Sequence, residues 1–275
     1  MAEGPTTPPK RPFSTHDSPF ISRTVNWGEL RGMRKIEAVE QMTPEYRETV
    51  FKIIYALAST EFASVEQHAA WINKGPTAED RFSQAQICSD EAHQGMEDCR
   101  TLSAFGPEGK AAADDLLNKK MGEHLLEAFN IPFESWVDLC AFCCTMDLVA
   151  WYHLKAFENS SYAPFARSMT SMVHEERFHA SFGQNRIKTL MTDPAYLAAS
   201  KATRDDVQKA IWKWYPRALD TFGRKESKFA SQAVAFGIRR YDNEQLRQLW
   251  MEDINPFLKG LGVEVPPPDY DRHIL

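Results

Sequence analysis

The 275-residue chain has no uninterrupted apolar run near the roughly 20 residues that a membrane-spanning helix needs. Prolines interrupt the N-terminal segment where a signal peptide would have its apolar stretch. We therefore expect no membrane partner and a cytoplasmic location. The net charge of -6 and the lack of a dense lysine and arginine run also argue against nucleic acid as a partner.

The chain also lacks the glycine-rich dinucleotide fingerprint, any flavin motif and a cysteine cluster for an iron-sulfur centre. Electrons for a redox reaction would have to come from a separate reductase. The five cysteines are an odd number and lie mostly in helical segments, which indicates free thiols in a reducing compartment. The Cys140-x-x-Cys143 spacing falls in mid-helix, without the strand and turn of a redox motif, and is interpreted as structural.

No alternating strand pattern of any length is present, so the prediction is an all-α fold. The composition, with 43% hydrophobic and 25% charged residues, is that of an ordinary globular protein. Residues 1–26, rich in proline, are expected to form an extended arm. A single helical domain is expected over 27–264, followed by an extended tail over 265–275.

Capping residues and breaks divide this domain into helices. Thr43 with Pro44, Thr77 and Pro164 mark three helix starts. The segment 135–159 is apolar nearly all round, as expected of a helix in the middle of a bundle. Helices are expected over residues 27–40, 43–73, 77–105, 135–159, 164–191, 203–222, 226–240 and 243–261, with a less regular helical connection over 109–128.

Two carboxylate-x-x-His pairs occur in these helices. Glu176-x-x-His179 has the three-residue spacing that puts both side chains on one helix face. Alone, such a pair is as easily explained by an exposed, solvated helix face. Asp90-x-x-His93 repeats the spacing in an earlier helix. The repeat raises the question of whether the two pairs come close together in the folded bundle.

Two further carboxylates lie where antiparallel hairpins would bring them level with these pairs. Glu61 and Asp90 are 29 residues apart and equidistant from the Gly75-Pro76 break. Asp147 and Glu176 are also 29 residues apart, around the next break. Each hairpin therefore presents a carboxylate on its first helix and a carboxylate-x-x-His on its second.

If the hairpins pack together, four carboxylates and two imidazoles are buried, and carboxylates stay ionised there only with a compensating cation. Oxygen and imidazole donors suit iron or manganese. The sequence therefore predicts a ferritin-like four-helix bundle of two helical hairpins, with additional C-terminal helices, that binds two metal ions. The predicted metal ligands, of which the carboxylates are also the catalytic candidates, are Glu61, Asp90, His93, Asp147, Glu176 and His179. Cys143 and Cys144 lie one turn before Asp147 and could line the substrate side of this centre or belong to the core.

Other carboxylates compete with this assignment. Glu91 is expected to point to a different face, and Glu158 lies too near the turn to be level with Glu176. Glu66, one helical turn beyond Glu61, could replace or join it.

Four stretches carry a family resemblance: SYAPFARSM (161–169), EERFH (175–179), WYPRAL (214–219) and RRYDNEQLRQ (239–248). They are similar to the ferritin-like di-iron aromatic-acid oxygenases, the family of the catalytic A subunits of bacterial phenylacetyl-CoA epoxidases. The resemblance covers roughly residues 45–270. It assigns the metal ligands to the same six positions, and the family's Asp on the third helix supports Asp147. It departs at Asp90, where the family has Glu.

The resemblance implies a di-iron monooxygenase that uses O2 to insert one oxygen atom, by epoxidation or hydroxylation, into an aromatic or other acyl substrate held as a CoA thioester. It also implies a separate electron-donating reductase and assembly with a second copy or a paralogous helical subunit. Two alternatives stay open. One is a ferritin-like iron oxidase or peroxide-detoxifying protein, and the other is a di-iron oxygenase acting on a free acid or a carrier-bound substrate.

Overall fold

A computed structural model describes residues 21–274. Most of the predicted N-terminal arm, residues 1–20, lies outside the described residues. The described part forms nine α-helices and two short 3-10 helices, and its β pairing is limited to two isolated bridges. The all-α prediction is therefore confirmed. The α-helices are α1 (Pro44–Ala69), α2 (Ala78–Ser103), α3 (Pro107–Asn118), α4 (Trp136–Phe157), α5 (Ala163–Thr192), α6 (Pro194–Ala199), α7 (Arg204–Thr221), α8 (Lys228–Ala235) and α9 (Asn243–Gly260).

Local capping explains why the long helices begin where they do. The side chains of Thr43, Thr77 and Ser135 each accept a hydrogen bond from a backbone N–H in the first turn of α1, α2 and α4. Helix α5 begins at Ala163 and has Pro164 in its first turn, where a missing N–H costs no helical hydrogen bond. The predicted starts agree with the structure to within one residue.

The four long helices form the bundle that positions the candidate site. Helix α1 packs against α2, α4 against α5, and α2 against α5. Helices α7 and α9 cover the outer side of α4. Helix α4 is long and apolar enough to cross a membrane by length and composition, but 89% of its apolar window is buried inside the protein. Its apolar surface is therefore explained by burial in the bundle.

The segment before α1 differs from the prediction. Residues 27–40 form bends, turns and the 3-10 helix Val39–Gln41 instead of an α-helix. Gly28 has a φ of +73°, and a Cβ there would lie 2.4 Å from the carbonyl oxygen of Val234. The backbone thus follows the surface of α8, and this tertiary contact opposes a local helix. Helix α8 is also shorter than the predicted 226–240 because Gly237, at a φ of +71°, follows its last turn.

Candidate metal centre

Each long helix of the bundle contributes one buried carboxyl group to a common cluster. These groups are Glu61 on α1, Glu91 on α2, Asp147 on α4 and Glu176 on α5, with exposed fractions between 1% and 4%. Apolar side chains from all four helices form the core around them, so their burial follows from the packing of the whole bundle. A group of four acids in such a place needs compensation by a cation.

His179 on α5 lies among these acids. Its Nδ1 is 3.1 Å from Oε1 of Glu176 and 3.4 Å from Oε1 of Glu91. One ligand atom from each of the three residues lies within 4.8 Å of the others, as donors to one metal ion would. On the opposite side of the ring, Nε2 is 3.2 Å from Oδ2 of Asp90.

Burial and mutual repulsion change the acidity of the cluster. Burial, together with Glu91, raises the pKa of Glu61 well above its usual value, and burial with Glu176 does the same for Asp147. Burial raises the pKa of Glu176 to about 7, although His179 opposes this change. Burial would also raise the pKa of Glu91, but its hydrogen bond and attraction to His179 bring it below the usual value. Burial lowers the pKa of His179, but Glu176 and the other carboxylates raise it well above the usual value, which favours the protonated ring.

Four of the six predicted ligands lie in the buried cluster, but the Asp90-x-x-His93 pair does not. His93 is not brought into the buried cluster: its side chain is 45% exposed and its Nδ1 lies 3.3 Å from Glu175 on the outer face. Asp90 is at the edge of the cluster and touches it through His179. The prediction that Glu91 points away from the centre is wrong, because Glu91 is 2% exposed and lies beside His179. At the place where the sequence departs from the family with Asp90, the side chain that faces the centre is that of Glu91, one residue later.

Gln94 on α2 is the counterpart of His179 on α5. It follows Glu91 by three residues, as His179 follows Glu176, and it is fully buried. Its Nε2 lies 3.4 Å from Oε1 of Glu176, and its Oε1 has no hydrogen-bond partner. The two hairpins therefore match in their carboxylates but differ in having an amide in one and an imidazole in the other.

His68 is a second buried imidazole, which the sequence reasoning missed. It lies on α1, seven residues after Glu61 and hence on the same helix face. A ring nitrogen of His68, Sγ of Cys143 and a carboxylate oxygen of Asp147 lie within 4.8 Å of one another. Burial lowers the pKa of His68 to about 4, so the ring is neutral at physiological pH. The two-turn spacing from Glu61 was the signal that could have identified it.

The competing carboxylates lie outside the cluster. Glu66 faces Lys120 and His124 at 3.9 Å, and its side chain is 28% exposed. Glu158 pairs with Lys155 at 2.7 Å. Neither contributes to the buried centre.

A cavity of about 570 Å³ reaches the cluster at Glu61. Its inner walls are apolar and come from α1 and α4, including Leu57, Met146 and Val149. Its outer lining contains the exposed cationic side chains of Lys52, Arg224 and Lys228, together with the buried Arg239. The cavity thus joins an apolar interior next to a carboxylate of the centre to a cationic mouth.

The cluster has the properties of a metal site. One imidazolium cannot neutralise four carboxylates, and Oδ2 of Asp147 and Oε2 of Glu176 are buried without a hydrogen-bond partner. The donors are oxygen and imidazole nitrogen, which suit iron or manganese. The residues present therefore fit a carboxylate-bound metal centre.

Comparisons with known proteins agree with this geometry. The family model of the phenylacetic acid catabolic protein matches residues 33–273. The A subunit of 1,2-phenylacetyl-CoA epoxidase from Escherichia coli (strain K12) is 27% identical over 238 residues, which cover 85% of this chain and 74% of that protein. Component B of benzoyl-CoA oxygenase from Aromatoleum evansii is 27% identical over 243 residues, which cover 82% of this chain and about half (51%) of that protein. The chain belongs to the phenylacetic acid catabolic protein family.

Proposed function

We propose that this chain is the oxygen-activating subunit of a multicomponent oxygenase that inserts one atom of O2 into an aromatic acyl-CoA thioester. The observation that carries the proposal is the cavity that leads from cationic side chains to the buried carboxylate cluster. The relatives support it, since they are named as parts of an epoxidase and of an oxygenase whose substrates are acyl-CoA thioesters.

The proposed cofactor is a pair of iron ions, although the same donors suit manganese. Glu61, Glu91, Asp147, Glu176 and His179 are the proposed ligands, in place of the set that included Asp90 and His93. Bound iron supplies the activation of O2, which no amino-acid side chain can provide. Asp90 is proposed to hold the His179 ring by accepting a hydrogen bond from Nε2–H, which leaves Nδ1 facing the carboxylates.

The inner part of the cavity is proposed to hold the aromatic acyl group. Apolar walls exclude water from the reacting part of the substrate and place it beside Glu61. Arg239 lines the same cavity and is 6% exposed, with Nη1 donating to Asn243 at 3.0 Å and Nη2 without a hydrogen-bond partner. We assign Nη2 to the carbonyl oxygen of the acyl thioester, because a buried guanidinium N–H needs an acceptor.

The mouth of the cavity is proposed to hold the phosphate groups of coenzyme A. Arg224 and Lys228 are exposed there and offer two cations to a polyanion. Lys52, which pairs with Glu48, and the acidic Glu226 lie beside them. Neutralising Arg224 and Lys228 should raise KM for an acyl-CoA substrate by about 10-fold, since two charge-assisted contacts contribute more than 1 kcal/mol. Lys259→Ala on α9, outside this cavity, is the matched control and should leave KM unchanged.

Partners follow from the same proposal. The chain has no fingerprint for a flavin, a nicotinamide or an iron-sulfur cluster. Electrons are therefore proposed to arrive from a separate reductase. Association with a second copy or a paralogous helical subunit is proposed because both relatives are named as parts of multicomponent enzymes.

The decisive experiment is iron quantitation with Mössbauer spectroscopy, followed by reductase-driven turnover of phenylacetyl-CoA, benzoyl-CoA and the two free acids. Two irons per chain and an oxygenated CoA ester are expected. Turnover of free acids alone would reject the thioester assignment and keep the reaction class. Fewer than one iron per two chains would reject the proposal in favour of a scaffold role.

A ferritin-like iron oxidase is the second candidate, because it would use the same ligands. Incubation with excess Fe(II) and O2 separates the two functions. An oxygenase should hold a fixed number of irons, whereas growth of a mineral core would favour the iron oxidase.

A further inference from the structure

The imidazole donors of the cluster are distributed unevenly along the bundle. On the α4–α5 hairpin, His179 stands three residues after Glu176. At the matching position on α2 stands Gln94, which is fully buried, and His93 faces the opposite way towards Glu175. An amide is a weaker metal ligand than an imidazole, so a second ion placed symmetrically would lack its nitrogen donor.

His68 supplies an unassigned imidazole two helical turns along α1 from Glu61. It is fully buried, with Nδ1 2.6 Å from the amide nitrogen of Gln84 and Nε2 without a hydrogen-bond partner. Asp147 and Cys143 on α4 complete the group, and one donor atom from each lies within 4.8 Å of the others. Asp147 Oδ2 is likewise buried without a partner. His68 and Asp147 thus each have a buried donor atom without a hydrogen-bond partner, and both lie close to the thiol of Cys143.

We propose that a divalent first-row transition-metal ion binds between His68, Asp147 and Cys143, so that the second metal position is shifted along α1 towards His68. The ion at Glu91, Glu176 and His179 remains the first position, and Asp147 lies between the two. Ligation through Nε2 puts the ring proton of His68 on Nδ1, where a rotated Gln84 amide can accept it through its oxygen, which has no partner in the present orientation. This inference rests on the proposed two-metal centre but not on the proposed reaction.

The test is cobalt(II) titration of the metal-free full chain, read by metal stoichiometry and by the near-ultraviolet charge-transfer band of a thiolate-cobalt bond. The wild-type protein should bind two ions and show the band. His68→Leu, which keeps an apolar side chain against Phe133 and Phe142, should bind one ion and lose the band. His153→Leu removes a half-buried imidazole that lines the cavity but lies outside this group, and it should keep both.

Two further variants keep the test decisive if His68→Leu does not fold, as judged by circular dichroism. Cys143→Ser should abolish the charge-transfer band, whereas Cys144→Ser should keep it. Adding Gln94→His to His68→Leu should restore binding of a second ion without the band, since an imidazole then stands at the symmetric position.

The outcomes separate this inference from the proposed function. Two ions and an unchanged band in His68→Leu, or a band that survives Cys143→Ser, would overturn the shifted position and leave the two-metal proposal intact. A wild-type protein that binds a single ion, unaffected by His68→Leu, would overturn both. Loss of that single ion in His68→Leu would show an ion at His68 but would reject the two-metal centre, and with it the shifted second position that rests on it.

Discussion

Glu175 and Glu176 are adjacent in the sequence but differ in their surroundings, because successive helical residues point about 100° apart. Glu176 is 1% exposed and lies in the cluster, whereas Glu175 faces His93 on α2. We expect Glu176→Gln to weaken metal binding about 10-fold or more, since it removes a charged donor, and Glu175→Gln to leave metal content unchanged. Metal analysis after dialysis measures both. Equal losses of metal in the two variants would show that the metal is not bound on the buried face of α5.

Asp98 is a buried acid of α2 that follows Glu91 by seven residues, and its charge helps to raise the pKa of Glu61. It is fully buried, both carboxyl oxygens lack a hydrogen-bond partner, and burial, with Glu97, raises its pKa well above the usual value. The folded state therefore holds this proton more tightly than the unfolded state, whose pKa is about 3.9. Stability from this group is present below pH 4 and is lost as the pH rises towards the folded pKa.

Replacing Asp98 with Asn should therefore stabilise the metal-free protein by about 1–3 kcal/mol at pH 8, because the amide removes the cost of keeping a buried carboxyl protonated at a pH where the unfolded chain ionises it. At pH 4 the two proteins should be nearly equal in stability. Urea unfolding at both pH values measures the difference, with the exposed Asp114→Asn as control. A gain of the same size at both pH values would mean that ionisation of Asp98 is not the cause.

At the scale of the element, the face of α2 was the hardest feature to predict. Its buried stripe runs through Ile87, Glu91, Gln94, Asp98 and Leu102, with spacings of three and four residues. Only Ile87 and Leu102 of this stripe are apolar, and the sequence prediction gave more weight to an imidazole than to their spacing, so it selected a pair one residue earlier. One residue turns a side chain by about 100°, enough to move it from the core to the surface. Counting residues from the hairpin turn predicts how far along the helix a ligand lies, but the positions of Ile87 and Leu102 decide which of two neighbouring residues faces inward.

Helices α4 and α5 approach each other closely at Gly183, beside the proposed metal positions. A Cβ there would lie 2.2 Å from the backbone nitrogen of Cys144 and 2.3 Å from the carbonyl carbon of Cys143. We expect Gly183→Ala to push the helices apart and to cost about 1–3 kcal/mol, as overpacking does. It should also weaken metal binding, because Cys143 is one turn from Asp147. Chemical denaturation and metal titration measure the two effects.

Gly260 provides the control for this substitution. It is the last residue of α9, and a Cβ there would have no neighbour within 4 Å. Gly260→Ala should change the free energy of unfolding by no more than about 0.5 kcal/mol. A similarly small effect of Gly183→Ala would show that the two helices have room to move at the metal centre.

At the scale of the whole molecule, the helices were predictable because their boundaries are local. Thr43, Thr77 and Ser135 cap their helices through side chains that a sequence displays directly. The segment 27–40 was not predictable, because its conformation depends on distant partners. Ile36 pairs with Tyr162, and Gly28 lies against the carbonyl groups of α8. Such contacts exist only after the bundle has formed.

The buried acids also make the stability of the whole molecule depend on pH and metal together. Burial raises the pKa of Glu176 from 4.5 to about 7, which corresponds to a loss of on the order of 3 kcal/mol as the metal-free protein passes from pH 4.5 to pH 7. Glu61 and Asp147, whose pKa values are raised in the same direction, add to this trend. Bound metal ions replace these protons, so binding should release protons and become tighter as the pH rises. The melting temperature of the metal-free protein should therefore fall between pH 5 and pH 8, and the increase produced by Mn(II) should be larger at pH 8.

Thermal melts at the two pH values test this prediction, and calorimetric titration in two buffers of different ionisation enthalpy counts the released protons. Glu176→Gln should flatten the pH dependence of the metal-free protein, because the amide does not titrate. A metal-free protein that becomes more stable between pH 5 and pH 8 would contradict the conclusion that Glu61, Asp147 and Glu176 have raised pKa values and are protonated when no metal is bound. That result would mean that buried histidines with lowered pKa values, such as His68, outweigh the four acids in the pH dependence of stability.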